Sequence, residues 1–202
     1  MKIKAVFLAG IFLSFTVFIY GCSVQSGGTA GGGRSYFPNT QGYAWRYQNT
    51  DGSRNITVEG TRVICGDITV QSFKTYVFLP GGAMTSYYDD YYQVTDSGVY
   101  YYGNSFSSID QGRVILDFPL SVGKSWTVYS TGEESRTASV IGDEDVTVPA
   151  GTFSCYKVSY ISWRGTAEVS SADIWYGDGV GIVKSITMTA STIESVLEWK
   201  SF

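Results

Sequence analysis

From residue 36 onward the chain alternates apolar and polar residues in short runs broken by turn dipeptides. That period of two is the mark of half-buried β-strands. Tyr43 to Gly60 carries it most clearly. Asp51-Gly52 is a hairpin signal, because Gly supplies the positive φ of a tight type I′ turn. A turn centred there pairs Tyr47 with Ile56 and Trp45 with Val58 on one face. Arg46 then faces Thr57 and Ala44 faces Glu59 on the other. Further along, Trp126 and Val128 are expected to face Val140 and Ala138 across a turn with one extra residue. Pro149-Ala150-Gly151, between Val146-Thr147-Val148 and Phe153 to Ile161, reads as a three-residue hairpin loop. Leu79-Pro80-Gly81-Gly82 and Thr95-Asp96-Ser97-Gly98 are further turns. No stretch after Cys22 has helical periodicity. About a dozen short strands joined by tight turns predict an all-β fold, an antiparallel sheet or a barrel-like body.

The pattern also repeats. Phe37-Pro38, Gly42 and Trp45 recur as Phe118-Pro119, Gly123 and Trp126, with the spacing F-P-x3-G-x2-W kept. Phe73 and Tyr76 match Phe153 and Tyr156, and Gly98-Val99 matches Gly181-Ile182. Three matches in one order predict a tandem duplication of ~80-residue β units. The units are residues 36–116 and 117–202, expected to form one compact body because no linker separates them.

The N-terminus has a different texture. Lys2 and Lys4 precede the apolar run Ala5 to Tyr20, which is of signal-peptide length and short for a membrane-spanning helix. The run ends in Ile19-Tyr20-Gly21-Cys22, which resembles a bacterial lipobox. That resemblance implies cleavage after residue 21 and lipidation of Cys22. Ser23 follows, and the family's inner-membrane retention residue there is Asp, so the resemblance implies the outer membrane. Residues 22–35 then form the lipidated Cys and a Gly/Ser tether without core-forming residues.

Charge and composition narrow the chemistry. The chain has 202 residues, 44% of them hydrophobic and 16% charged, enough apolar material for a core. It contains no His, which removes Ser-His-Asp and Cys-His hydrolases, imidazole zinc sites and His proton shuttles. Net charge is −4, and −6 once Lys2 and Lys4 leave with the leader, so a nucleic-acid partner is not expected. Membrane attachment would come from the acyl chains.

A family resemblance rests on the second unit. Val146-Thr147-Val148-Pro149-Ala150-Gly151-Thr152-Phe153-Ser154-Cys155-Tyr156-Lys157-Val158 resembles a stretch recurring in uncharacterised bacterial secreted lipoproteins. Phe118-Pro119-Leu120 with Gly123 and Trp126 resembles their opening. Trp175-Tyr176, Gly179-Val180-Gly181 and Val183-Lys184 resemble their closing strand. The resemblance implies a lipid-anchored β-sheet envelope protein, and it carries over no catalytic residue. Some members are similar in shape to lipoprotein-carrier half-barrels that hold acyl chains.

Few residues offer chemistry. Cys65 and Cys155 remain as thiols, and an oxidising compartment makes them a candidate disulfide, the alternative being two free cysteines in the core. Tyr87, Tyr88, Tyr91, Tyr92, Tyr100, Tyr101 and Tyr102 cluster around one turn. Exposed tyrosines favour recognition of protein, glycan or apolar ligand, whereas β-propensity alone also explains them. Asp143-Glu144-Asp145 and Glu133-Glu134 are expected beside turns in water, and neither has an EF-hand spacing. Gly177 to Gly181 lacks the following helix of a phosphate loop and reads as a turn. No metal and no cofactor is expected. The reading is a non-enzymatic envelope binding or scaffolding module. A carrier sheltering acyl chains and a carboxylate-dependent glycan hydrolase are the alternatives.

Overall fold

The computed structural model describes residues 36–202. The expected leader, Cys22 and the tether lie outside the described residues. Twelve strands follow in order: β1 (Ala44–Asn49), β2 (Gly52–Ile64), β3 (Ile68–Phe78), β4 (Met84–Val94), β5 (Gly98–Asn104) and β6 (Ser107–Asp117). Then come β7 (Ser125–Thr131), β8 (Glu134–Val148), β9 (Gly151–Arg164), β10 (Ala167–Gly177), β11 (Gly181–Met188) and β12 (Thr192–Lys200). All join one antiparallel sheet in the order β6-β5-β4-β3-β2-β1-β12-β11-β10-β9-β8-β7. The fold is all-β and barrel-like, as the alternation predicts.

Each strand pairs with its sequence neighbours, with one interruption. β1 closes on β12, and β6 and β7 share no ladder. Side chains bridge that seam instead. Trp126 Nε1 donates to the Val114 carbonyl at 2.9 Å, and the Tyr160 hydroxyl donates to the Ile115 carbonyl at 2.6 Å. The Arg113 guanidinium lies over the Tyr129 ring, 4.3 Å from its centroid. Bonds of this kind occupy backbone acceptors that an open sheet edge would otherwise leave free.

The first two hairpin registers depart from expectation by two residues. Trp45 pairs with Ile56 and Tyr47 with Arg54, so the first turn is Thr50-Asp51. Gly52 is the first residue of β2, at φ 145°, and an added Cβ there would stand 2.0 Å from the Phe78 carbonyl oxygen. Glycine is needed under β3 rather than at the turn's centre. Trp126 pairs with Ala138, and the extra residue is a bulge at Val128 rather than part of the turn. In the third hairpin Val148 pairs with Gly151, so the turn is Pro149-Ala150, one residue shorter than expected. In the first two hairpins the shift of two keeps the side chains on their predicted faces.

The F-P-x3-G-x2-W motif makes the same turn twice. Gly42 and Gly123 sit at φ 88° and 90°. Gly42 N donates to the Val58 carbonyl at 2.9 Å, and Gly123 N donates to the Val140 carbonyl at 2.8 Å. Val58 N and Val140 N return bonds to the Tyr43 and Lys124 carbonyls. Both second strands then bulge before Gly60 and Gly142. The Phe73–Phe153 match does not follow this register. Phe73 pairs with Val58, whereas Phe153 pairs with Val146.

One face of every strand turns inward. Trp45, Val58, Phe73, Val99, Leu116, Val128, Val140, Tyr160, Tyr176, Val183 and Leu197 belong to one buried cluster. Burying a side chain of this size contributes about 1.5–3 kcal/mol. The opposite face of the first half has its own small cluster of Ile68, Val70, Tyr91 and Tyr102.

Candidate functional site

The cleft grows from the first four strands. β1 turns Trp45 and Tyr47 inward, β2 turns Ile56 inward, and β3 adds Phe73 and Thr75. β4 contributes Asp90 and Tyr92. Phe37 and Pro38 lie across the space before β1 begins, and Gly181 and Ile182 of β11 complete the wall. Together they line a small half-open cleft. Both halves of the chain contribute.

Aromatic packing fixes the walls. Phe37 meets Tyr92 at 5.0 Å and Phe73 at 5.4 Å between ring centroids. Phe73 meets Tyr92 edge-on at 5.1 Å. Trp45 donates its indole N–H to the Val180 carbonyl, and the Tyr47 hydroxyl donates to the Ile182 carbonyl at 2.9 Å. These bonds tie β1 to the start of β11 and the turn before it, so the rings have little rotational freedom. Gly181 keeps the wall thin, since an added Cβ would stand 3.3 Å from Pro38 Cδ.

Asp90 is the one carboxylate among the lining residues. Its Oδ1 accepts a 3.2 Å hydrogen bond from the Tyr101 hydroxyl. Burial pushes its carboxyl up to about 6, against the opposing pull of the Tyr101 bond and the Arg54 charge, while Asp89 adds to the rise. Burial also pushes Tyr101 up to about 12, with the Asp90 charge adding to it. The Tyr47 and Tyr92 hydroxyls are raised by burial too. The phenols therefore remain neutral donors at physiological pH. Deeper in the barrel the Tyr160 and Tyr176 hydroxyls stand 3.0 Å apart.

The predicted tyrosine face is divided. β4 pairs antiparallel with β3 and β5, so alternate side chains leave on opposite sides. Tyr92 and Tyr101 point into the barrel and meet at 5.3 Å. Tyr91, Tyr100 and Tyr102 belong to the opposite cluster. There Arg62 Nη1 donates to the Tyr91 hydroxyl, and the Tyr102 ring covers Gly112. Tyr87 is 60% exposed and packs beside Tyr76, and Tyr88 is half-buried beside Phe106. These seven do not form a single recognition surface, because consecutive strand residues cannot share a face.

The other candidates also resolve. Cys65 and Cys155 are unbonded. Cys65 is exposed in the β2–β3 turn with Sγ against the Ile109 carbonyl, and Cys155 is buried in β9 with Sγ against the Phe153 carbonyl. Burial, then the Asp145 and Glu144 charges, push the Cys155 thiol up to about 11. Asp143-Glu144-Asp145 lies within β8, not in a turn. Glu144 accepts a 2.6 Å bond from Trp175 Nε1. Glu134 pairs with Arg164. Gly177 to Gly181 is the β10–β11 turn.

Sequence reasoning did not single out Asp90, Trp45 or Phe73 as a site. The available signal was Tyr88-x-Asp90-x-Tyr92, which places a carboxylate between two aromatics on one face of a strand.

Comparison with known proteins agrees with this architecture. A protein-family profile described as DUF3108-like matches residues 132–189. No curated protein matches the chain in sequence. Two crystal structures are similar over 82% of this chain and 98% of their own. One is a candidate lipoprotein from Parabacteroides distasonis, 15% identical with a TM-score of 0.53. The other is a candidate exported protein with a YmcC-like fold from Bacteroides fragilis, 16% identical with a TM-score of 0.56. At these identities the likeness is one of fold.

Proposed function

We propose that this chain is a lipid-anchored envelope protein whose barrel holds a small, mainly apolar ligand. The carrying observation is the half-open aromatic cleft walled by both halves of the sheet. Ligand sites in β-barrels take this form, with apolar walls and a few fixed polar groups. The single lining carboxylate, Asp90, favours binding over glycan hydrolysis, which uses a carboxylate pair. Cys22 would carry the lipid, and the tether would enter the body at Phe37 and Pro38, beside the cleft. The motif turns repeated at Gly42 and Gly123 support descent from a duplicated six-stranded unit.

Two measurements test the proposal. Palmitate labelling should mark the wild-type protein and not Cys22→Ala. Native mass spectrometry of protein purified from membranes should find an apolar adduct released by denaturation. The binding half of the proposal fails if the protein is always free of adduct and N-phenyl-1-naphthylamine gains no fluorescence with it. An unlabelled wild-type protein would remove the anchor.

A further inference from the structure

We propose that the cleft selects a small organic cation of the alkylammonium class, with Asp90 facing the charge and the aromatic walls holding the alkyl or aryl body. This rests on the reading of the cleft as a ligand site and adds the charge of its ligand.

Two features of the geometry point to a cation. First, Asp90 lines the same cleft as Phe37, Trp45, Tyr47, Phe73 and Tyr92. Ring faces attract cations within about 6 Å, and the attraction grows as water is removed. Rings and carboxylate thus favour the same sign of charge. Second, the charge of Asp90 has no fixed partner. Among the described residues it forms no ion pair, and Tyr101 gives its one hydrogen bond. Arg54 acts on it from a distance without forming an ion pair. A desolvated carboxylate without a cation is costly, and a charged ligand removes that cost.

The groups acting on Asp90 set a pH dependence. They are Arg54 from β2, its neighbour Asp89 on β4 and Tyr101 from β5; Tyr92, also on β4, feels the Asp90 charge in turn. The Asp90 carboxyl, raised by burial to about 6, changes charge there. Selectivity for the cation should therefore appear above pH 6 and fade below it.

Calorimetric titration of the full-length protein with three probes of similar shape tests this. They are 2-phenylethylammonium, 2-phenylethanol and phenylacetate. At pH 7.5 the ammonium should bind about tenfold more tightly than the alcohol, and at pH 5 that margin should shrink. Asp90→Asn should erase the margin between ammonium and alcohol. Equal affinity for amine and alcohol, or a margin that survives Asp90→Asn, overturns the cation assignment and leaves the cleft reading standing. Tightest binding by phenylacetate overturns it in favour of Arg54. Failure of all three probes overturns the cleft reading and the cation assignment together.

Discussion

The indole N–H of Trp45 reaches the carbonyl of Val180, 2.8 Å away, and joins β1 to the turn before β11. The bond is buried and links residues 135 positions apart. It holds one wall of the cleft against the other half of the barrel. Trp126 of the second half uses its indole differently, against Val114 across the seam.

Trp45→Phe should therefore destabilise by more than its lost area, because a buried carbonyl is left without a donor. A cost of about 1–3 kcal/mol is expected from that acceptor alone. Urea unfolding checks it, and an unchanged midpoint would show that water replaces the indole. Trp126→Phe should cost less, since its bond is only partly buried.

Asp90 should weaken the fold at neutral pH. Its carboxyl holds a proton up to about pH 6 when folded, against an ordinary value of 3.8. Protonation thus favours folding, and that advantage is lost as pH rises from 3.8 through about 6. Above it, the ionised group costs about 1–3 kcal/mol. Asp90→Asn should melt higher than wild type at pH 7.5 and equally at pH 4. A variant less stable at pH 7.5 would mean that Arg54 and Tyr101 outweigh the burial.

Tyr160→Phe should loosen the seam. The Ile115 carbonyl and the Tyr176 hydroxyl both lose a partner, at about 1–3 kcal/mol. Amide exchange should rise first in β6 and β7. Uniform acceleration across all strands would instead report global destabilisation.

Gly98 and Gly142 make a matched pair. Neither has a positive φ, so only space differs. A Cβ at Gly98 would stand 2.3 Å from the Leu116 carbonyl oxygen, while nothing lies within 4 Å at Gly142. Gly98→Ala should cost about 1–3 kcal/mol, and Gly142→Ala should be near neutral. Similar melting shifts for the two would contradict the close β5–β6 approach.

The thiols should react unequally. Maleimide at pH 7 should modify exposed Cys65 quickly and spare buried Cys155, whose thiol is raised to about 11. With Cys22 lipidated, intact mass should rise by one adduct under native conditions and two after denaturation. No uptake in either state would indicate that the pair is bonded in the isolated protein.

Much of the fold was legible because a strand's period is short and local. Alternation marked the strands, and F-P-x3-G-x2-W marked a turn that recurs with the same Gly-to-Val bond. Register was less legible. Asp51-Gly52 looks like a turn centre, but Gly52 answers to Phe78, a strand away and distant in sequence. The site was least legible of all. Tyr87-Tyr88-Asp89-Asp90-Tyr91-Tyr92 places Tyr-Asp-Tyr on both faces of β4, and only the curl of the sheet decides which aspartate enters the barrel. Asp90 enters the cleft, while Asp89 and Tyr91 belong to the other face.

The closure of β1 on β12 has a topological consequence. Ala44 and Ser201 exchange hydrogen bonds at 2.9 and 3.0 Å, so the last strand ends beside the first. The seam, by contrast, falls between β6 and β7, which are consecutive in sequence. A circular permutant joined from β12 into β1 and opened between residues 118 and 124 would read β7 to β12, then β1 to β6. Every ladder in it would link neighbours in sequence, and the one closure spanning the whole chain would become a local hairpin. By that rearrangement the barrel's slowest contact to find would become one of its fastest.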